Sequence, residues 1–456
     1  MVVLFQNFNQ DSQRLYESIN KIEFKANFVC LNETGYLPNN TETPYSYYCK
    51  MDSNNEKLEN SLPKAAPLFF NQLKVPKYWN IESDMNSGKV FDKSRLKAKI
   101  YYATPNSKRR ISGVAWYGNN KNVLYYDHYD KHGFRFAKTI VDNNEKPVMK
   151  QWFSKIDNSV VIEENLVTNS MFLNKDDKQL IFHDLVDFYI YYLIEKKYNL
   201  ECILYNSLHY PHFISERLAS KYNINGSDFL FWQEQINDDI PGNMKCLVNG
   251  TSKRLCHAIV QNHKSYEKMV NIYGEADWFS YLGYILPDSD NKQKNNKVLI
   301  VTNSDSIEHI DDIVDRLSSF EFTICSITTM SEKLLALNSF QNVQLLPTVS
   351  FEDITNLRKE CLFYLDINHF GEVYNSLYDA ILNDQIVMSF TNTVHNNNLV
   401  LDDMIFQADD WSLMCDKIKT LSVEKKSLMK YKQMQNLLID RDSIENYHSV
   451  FDAIAH

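Results

Sequence analysis

A chain of 456 residues with 44% apolar, 13% aromatic and 23% charged residues has the composition of a soluble globular protein of two or three domains, which excludes a disordered, fibrous or peptide-sized product. With 48 Lys and Arg against 58 Asp and Glu, the net charge of −10 argues against a broad nucleic-acid footprint. Only 11 glycines leave few places where the backbone can close on a diphosphate, so a self-sufficient nucleotide-using enzyme is disfavoured. The cysteines, Cys30, Cys49, Cys202, Cys246, Cys256, Cys325, Cys361 and Cys415, are scattered singly, a pattern of reduced thiols rather than disulfides or a metal site. The opening MVVLFQNFNQ lacks a charged-then-apolar leader, and the longest apolar stretch, near Phe188 to Ile194, is far short of a membrane span. The expectation is a protein that stays inside the cell.

Residues 1 to about 48 supply strands around Leu4 and from Phe28 to Leu31, with a helix or two. From roughly Phe69 to Leu180 the texture changes. Turn-forming clusters at Gly118-Asn119-Asn120, Asp130-Lys131-His132-Gly133, Asp142-Asn143-Asn144, Asp157-Asn158-Ser159 and Asn174-Lys175-Asp176-Asp177 recur at hairpin spacing, with Trp116, Tyr125, Tyr126, Phe136, Trp152 and Phe153 among the aromatics between them. That spacing predicts an antiparallel β-meander, an extended sheet whose aromatics either make one sticky face or pack on one another or on the neighbouring domain. A second alternating region, about His183 to Leu286, predicts a helix through Val186, Tyr189, Ile190 and Leu193, then strands at Cys202 to Tyr205, Phe229 to Trp232 and His257 to Gln261.

The polar run Asp288 to Asn296 reads as a linker. Beyond it, strands are expected at Lys297 to Thr302, Glu321 to Ile327, Val343 to Leu346, Cys361 to Ile367, Ile386 to Phe390 and Met404 to Phe406. Between the first two, a helix carries Ile307, Ile310, Ile313, Val314 and Leu317 on one stripe behind an Asp305/Glu308 capping box. A final helix, about Val423 to Asp440, is expected to cross back. The fold class is α/β and GT-B-like: a split N-terminal Rossmann-like domain over 1–68 and 181–287, an inserted antiparallel β-meander domain over 69–180, and a C-terminal Rossmann-like domain over 297–456.

This layout resembles the GT-B glycosyltransferases, whose active retaining members hold a sugar-nucleotide diphosphate with a basic pair after the first C-terminal strand and with two acids eight positions apart. The chemistry needs those groups, because a departing diphosphate develops negative charge that must meet fixed cations or helix N-terminal N–H groups. Here the segment Thr302 to Asp315 contains Asp305, Glu308, Asp311, Asp312 and Asp315 and no Lys or Arg. Asp379 suits the second acidic position, but Gly371 stands eight residues before it. Asn368, His369, Gly371, Glu372 and Asp379 therefore read as a vestigial donor site with no catalytic residue. The alternative is an autonomous retaining GT-B glycosyltransferase that uses Glu372, His369 or Asp379. On the acceptor side, loops after predicted strands place Asn206, Ser207, His209, Trp232, Gln233, Glu234 and Asn243 in a groove. His209 and His212 as ordinary loop histidines, and Gln233 and Glu234 as helix-end or turn partners, are the competing structural reading.

The strings TPYSYYC (Thr43 to Cys49), DHYDKHGFRFAKT (Asp127 to Thr139), VDFYIYYL (Val186 to Leu193), ILYNSL (Ile203 to Leu208), FWQEQINDDIPGNM (Phe231 to Met244) and LDINHFGEV (Leu365 to Val373) occur in order along the chain. In these it resembles the GtfB-type subunits of bacterial accessory-Sec glycosylation systems. The resemblance implies a non-catalytic, acceptor-binding and stabilising subunit that partners a catalytic glycosyltransferase. Together the two attach N-acetylglucosamine to Ser or Thr of serine-rich repeat adhesins before export. It implies further that the β-meander docks the partner, that the partner binds UDP-GlcNAc while this chain needs no cofactor or metal, and that the complex is cytoplasmic and peripheral to the membrane. No nucleic acid is expected among the ligands.

Overall fold

The computed structural model describes residues 1–51, 66–287 and 295–455, and the expected linker lies outside these except for Asn295 and Asn296, which already belong to a strand. The chain forms two compact units. One comprises Met1–Tyr16, Tyr273–Ser280 and the body of Phe24–Ile259, and the other comprises Glu17–Glu23, Val260–Ile272 and the chain from Tyr281 onward.

In the first unit, strands buried on both faces are apolar throughout: Val2, Val3, Leu4 and Phe5 are essentially inaccessible, as are Ile203, Leu204 and Tyr205. They belong to a seven-stranded sheet in the order Phe279–Tyr281, Leu255–Val260, Asp228–Trp232, Ile203–Tyr205, Val2–Phe5, Asn27–Cys30, Thr41–Glu42. Val2–Phe5 pairs in parallel with Asn27–Cys30 on one side and Ile203–Tyr205 on the other, so the chain reverses its direction of winding there. A buried ion pair holds the sheet. Arg254 Nε and Nη2 each donate to the Asp228 carboxylate at 2.8 Å, and the carboxylate also accepts Ile203 N–H at 2.8 Å and the Ser215 hydroxyl at 2.5 Å.

The same unit carries a ten-stranded antiparallel sheet in strict sequence order, from Trp79–Ser83 to Lys178–Phe182. Its strands alternate: in Arg95–Tyr102, Ala98, Ile100 and Tyr102 face a core with Val90, Ile111 and Val114. The predicted turn clusters fall at hairpin ends. Trp152 stacks on Tyr45 with ring centroids 3.9 Å apart, and Tyr45 sits in the short helix Pro44–Tyr48, started by a Thr43/Ser46 capping box. The aromatics Phe136 and Trp152 thus pack inward.

The second unit holds a six-stranded parallel sheet, ordered Val343–Leu346, Glu321–Ser326, Asn295–Thr302, Cys361–Asp366, Ile386–Phe390, Ile405–Phe406. This is a doubly wound order with its switch point between Asn295–Thr302 and Cys361–Asp366. Two expectations are corrected. The helix after the first strand is Ile310–Arg316 with His309 at its N-cap in the left-handed region (φ 48°), and Glu308 is spent on other partners, so no Asp305/Glu308 capping box forms. The apolar stripe from Ile307 to Leu317 is nonetheless buried. The stretch expected as one final helix ends at Leu438, with Lys425–Leu438 fastened by Gln435 to Val387 N–H and Gln385 C=O. A further helix follows at Ile444–Ala455, whose Tyr447 hydroxyl donates to Gly283 O at 2.8 Å within the same unit.

Candidate functional site

In open parallel sheets ligands bind beyond the carboxyl ends of the strands at the switch point. In the second unit the loops after Asn295–Thr302 and Cys361–Asp366 meet there, and they bind each other. Ile307 bridges Asn368, Glu308 N–H donates to Ile367 O at 2.9 Å and His369 N–H to Ser306 O at 3.0 Å. Asn368, 2% exposed, is saturated: its Oδ1 accepts the Thr302 and Ser304 hydroxyls at 3.0 Å, and its Nδ2 donates to Asn303 Oδ1 and Phe370 O. The crevice is filled by the chain's own polar groups.

Each remaining donor-side candidate has an internal partner or an open surround. The His369 imidazole meets the Glu308 carboxylate, which also accepts Asn392 Nδ2 at 2.9 Å. Glu372 accepts Leu377 N–H at 2.9 Å, so a carboxylate of the chain occupies the start of the helix Ser376–Leu382, where a diphosphate would otherwise lie. Asp379 faces Arg358, a cation only 1% exposed that also donates to the Ser376 hydroxyl at 2.8 Å. Burial pushes the Asp379 carboxyl up, and Arg358 opposes that. A Cβ at Gly371 would meet no protein atom within 4 Å, so packing within the chain does not require glycine there. Neither loop supplies a Lys or Arg.

A second, half-buried cationic group beside these loops, His395, escaped sequence reasoning. His395 Nδ1 lies 2.5 Å from Asp366 Oδ1, its backbone N–H donates to Asp366 Oδ2 at 3.0 Å, and Nε2 faces the Phe370 carbonyl. With an acceptor at each ring nitrogen, the imidazole is held doubly protonated. The hydrogen bond to Asp366 raises its pKa above the ordinary value, against burial. Its charge is neutralised by Asp366, itself 2% exposed, and so is not offered to a diphosphate. No local motif marks the pair, because the partners sit on different loops.

In the first unit the switch point lies between Val2–Phe5 and Ile203–Tyr205. Asn206 accepts Gln6 N–H at 3.1 Å and donates to the Ser12 hydroxyl and to Gln233 Oε1 at 2.9 Å, while Gln233 Nε2 donates to Asp11 O. These two bind loops together. Trp232 is 3% exposed and forms a wall. Ser207 is half-buried and accepts His209 N–H at 3.3 Å. His209 and Glu234 are exposed. The His209 ring rests edge-on against Tyr210 at 4.3 Å, and exposed Asn243 donates to Leu208 O at 3.0 Å. The structure brings Asn206 with Gln233 and the 207–209 turn with Asn243. His212 is buried on the Tyr205 hydroxyl, its pKa lowered by that burial.

Fold and site define a GT-B-like architecture whose second-unit switch-point loops are bonded to each other by their own polar groups. Comparison with known proteins makes this specific. Family models described as GtfB N-terminal domain, GtfB middle domain, GtfB third domain and GftB/GlyA-F C-terminal domain match residues 2–48, 79–183, 185–272 and 298–435. The UDP-N-acetylglucosamine–peptide N-acetylglucosaminyltransferase stabilizing protein GtfB of Streptococcus agalactiae is 36% identical over 99% of this chain and 98% of its own length. Its counterpart in Limosilactobacillus reuteri subsp. suis is 31% identical over 100% and 99%. A chain in the crystal structure of a GtfA/B complex bound to UDP and GlcNAc superposes with a TM-score of 0.75 at 29% identity, covering 99% of both chains. The pneumococcal O-GlcNAc transferase GtfA, at 13% identity and a TM-score of 0.52 over 100% of this chain and 99% of that one, shares the fold. The chain belongs to the GtfB family of stabilizing proteins of the UDP-GlcNAc–peptide N-acetylglucosaminyltransferase.

Proposed function

We propose that this chain is the non-catalytic, acceptor-binding subunit of a polypeptide O-GlcNAc transferase, which modifies Ser and Thr of a serine-rich repeat adhesin before export. The observation that carries the reading is the filled switch-point crevice of the second unit: loops 303–309 and 367–374 bond to each other, Glu372 takes the helix start, and no Lys or Arg lies in either loop. UDP-GlcNAc is accordingly assigned to a GtfA-type catalytic partner, and no cofactor or metal to this chain. The relatives' description as stabilizing proteins supports it, since binding only the folded form of a partner stabilises that partner by mass action.

The ten-stranded sheet is assigned to partner docking, in keeping with exposed apolar side chains at Leu124 (52% exposed) and Met85 (69%). Exposed His209, Glu234 and Asn243 with Ser207 are assigned to the acceptor polypeptide, over a floor made by Asn206, Trp232 and Gln233. Among the described residues no helix is long and apolar enough to cross a membrane, so association at the inner face of the membrane is assigned to protein contacts. Incubating the purified chain with UDP-GlcNAc and a serine-rich peptide, with and without the catalytic partner, tests the reading: transfer occurs only with the partner.

A further inference from the structure

One row of directly opposed residues crosses the ten-stranded sheet as Tyr101, Gly113, His128, Ala137 and Trp152. Opposed residues share a face, so all five lie on the side away from the core of Val90, Ile100 and Val114. At its Trp152 end this face is covered, the indole being buried and stacked on Tyr45. At the other end it is open: Tyr101 is 38% exposed, and Leu124, on the same side, is exposed as well.

Gly113 interrupts the row in the middle of the strand Ile111–Tyr117, where glycine weakens pairing. Nothing within the chain asks for it. The register shifts beside it, at Ser112, yet Gly113 lies outside the left-handed region, and a Cβ there would meet only Asp127 O, at 3.4 Å. A strand glycine without an internal reason marks a place where another molecule comes close. Tyr101 and His128 stand two strand spacings apart, roughly 9.5 Å, with no side chain between them, which leaves room for one leucine or aromatic side chain. The walls are held in place, because His128 is bonded to the Thr139 hydroxyl at 2.8 Å and the Lys99 ammonium lies over the Tyr101 ring at 5.2 Å.

Charge defines what carries that side chain. Between Lys74 and Arg110, ten Lys and Arg stand against three Asp and Glu, in a chain of net charge −10. On the open face Lys89 and Lys99 are directly opposed, a repulsive pairing by itself. Glu82 faces Lys89 from the edge strand, but Lys99 has Ala115 on its other side and no carboxylate opposite. A second copy of this chain would set the same cations against each other, so the face suits a protein surface that carries carboxylates.

We propose that the Gly113 notch anchors the docking face: one leucine or aromatic side chain of the catalytic partner inserts between Tyr101 and His128, and carboxylates beside it meet Lys89 and Lys99. This rests on the assignment of the ten-stranded sheet to partner docking and adds where the binding energy is concentrated. A central buried anchor carries most of the energy of an interface, whereas rim charges set the association rate and its salt dependence.

The test uses the full chain and the purified catalytic partner, with affinity from calorimetry and rates from surface-immobilised binding. Gly113→Leu fills the notch and weakens the complex about thirtyfold through faster dissociation, while the urea midpoint of the chain alone does not fall. Lys89→Glu combined with Lys99→Glu slows association about tenfold at about 0.1 M salt, and the difference closes at about 1 M. Native affinity in the Gly113→Leu chain overturns the inference, as does native, salt-independent association of the charge variant should Gly113→Leu not fold. Self-association of the chain alone, or capture of an oligoribonucleotide, that is abolished by Gly113→Leu reassigns the face and overturns it too. Failure of the native chain and partner to associate counts instead against the docking assignment itself.

Discussion

Replacing Arg254 by Met probes the framework on which the acceptor-side loops stand. Both members of the Arg254–Asp228 pair are 0% exposed. Removing the guanidinium strips two charge-assisted bonds from Asp228 and leaves the carbonyls of Ile224 and Leu200, reached at 2.7 and 2.5 Å, without their donor. Breaking a buried pair from one side costs about 3–5 kcal/mol, and the stranded carbonyls place this case toward the upper end, although Ser215 and Ile203 still donate to Asp228. At 2–4 °C per kcal/mol for a unit of this size, unfolding of the first unit falls by roughly 10 °C. The assay is differential scanning calorimetry with urea unfolding, for Arg254→Met, Asp228→Leu and the double variant. The double variant recovers part of the loss, because it leaves no uncompensated buried charge, while the two carbonyls, Ile203 N–H and the Ser215 hydroxyl stay unmet. A single variant costing under about 1 kcal/mol, or a double as unstable as either single, refutes the reasoning.

His395 predicts a pH dependence. Its folded pKa is raised by Asp366, so its contribution is complete below the unfolded value of about 6.5 and is lost as pH rises through the folded value. Urea midpoints of the second unit fall with rising pH across that window, and His395→Gln flattens the fall. Asn368→Ala leaves the Ser304 hydroxyl without its Asn368 acceptor and the Thr302 hydroxyl with Ser304 O alone, and costs about 1–3 kcal/mol, read by chemical denaturation. Asn206→Ala unties Gln6, Ser12 and Gln233 and weakens acceptor-peptide binding in calorimetry, whereas His209→Ala does so with stability unchanged within about 0.5 kcal/mol.

The architecture was legible where one physical signal dominated. Fully apolar runs such as Val298 to Val301 mark strands covered on both faces, and the Asn- and Asp-rich turn clusters mark hairpin ends. Glu308 was misread as a cap because spacing records only local options, while its partners His369 and Asn392 arrive from distant loops. For the same reason His395 and Arg358 went unnoticed, each defined by a partner far along the chain or by burial. Asn206 and Gln233 were placed in a groove because they follow predicted strands and are polar, and their side chains also bind other loops.

Titration of UDP-GlcNAc into the purified chain alone, paired with a transfer assay on the same sample, tests the central claim most directly. The account predicts no saturable heat from the nucleotide sugar and no sugar on the serine-rich peptide until the catalytic partner is added. Tight nucleotide binding accompanied by transfer from this chain by itself would contradict it.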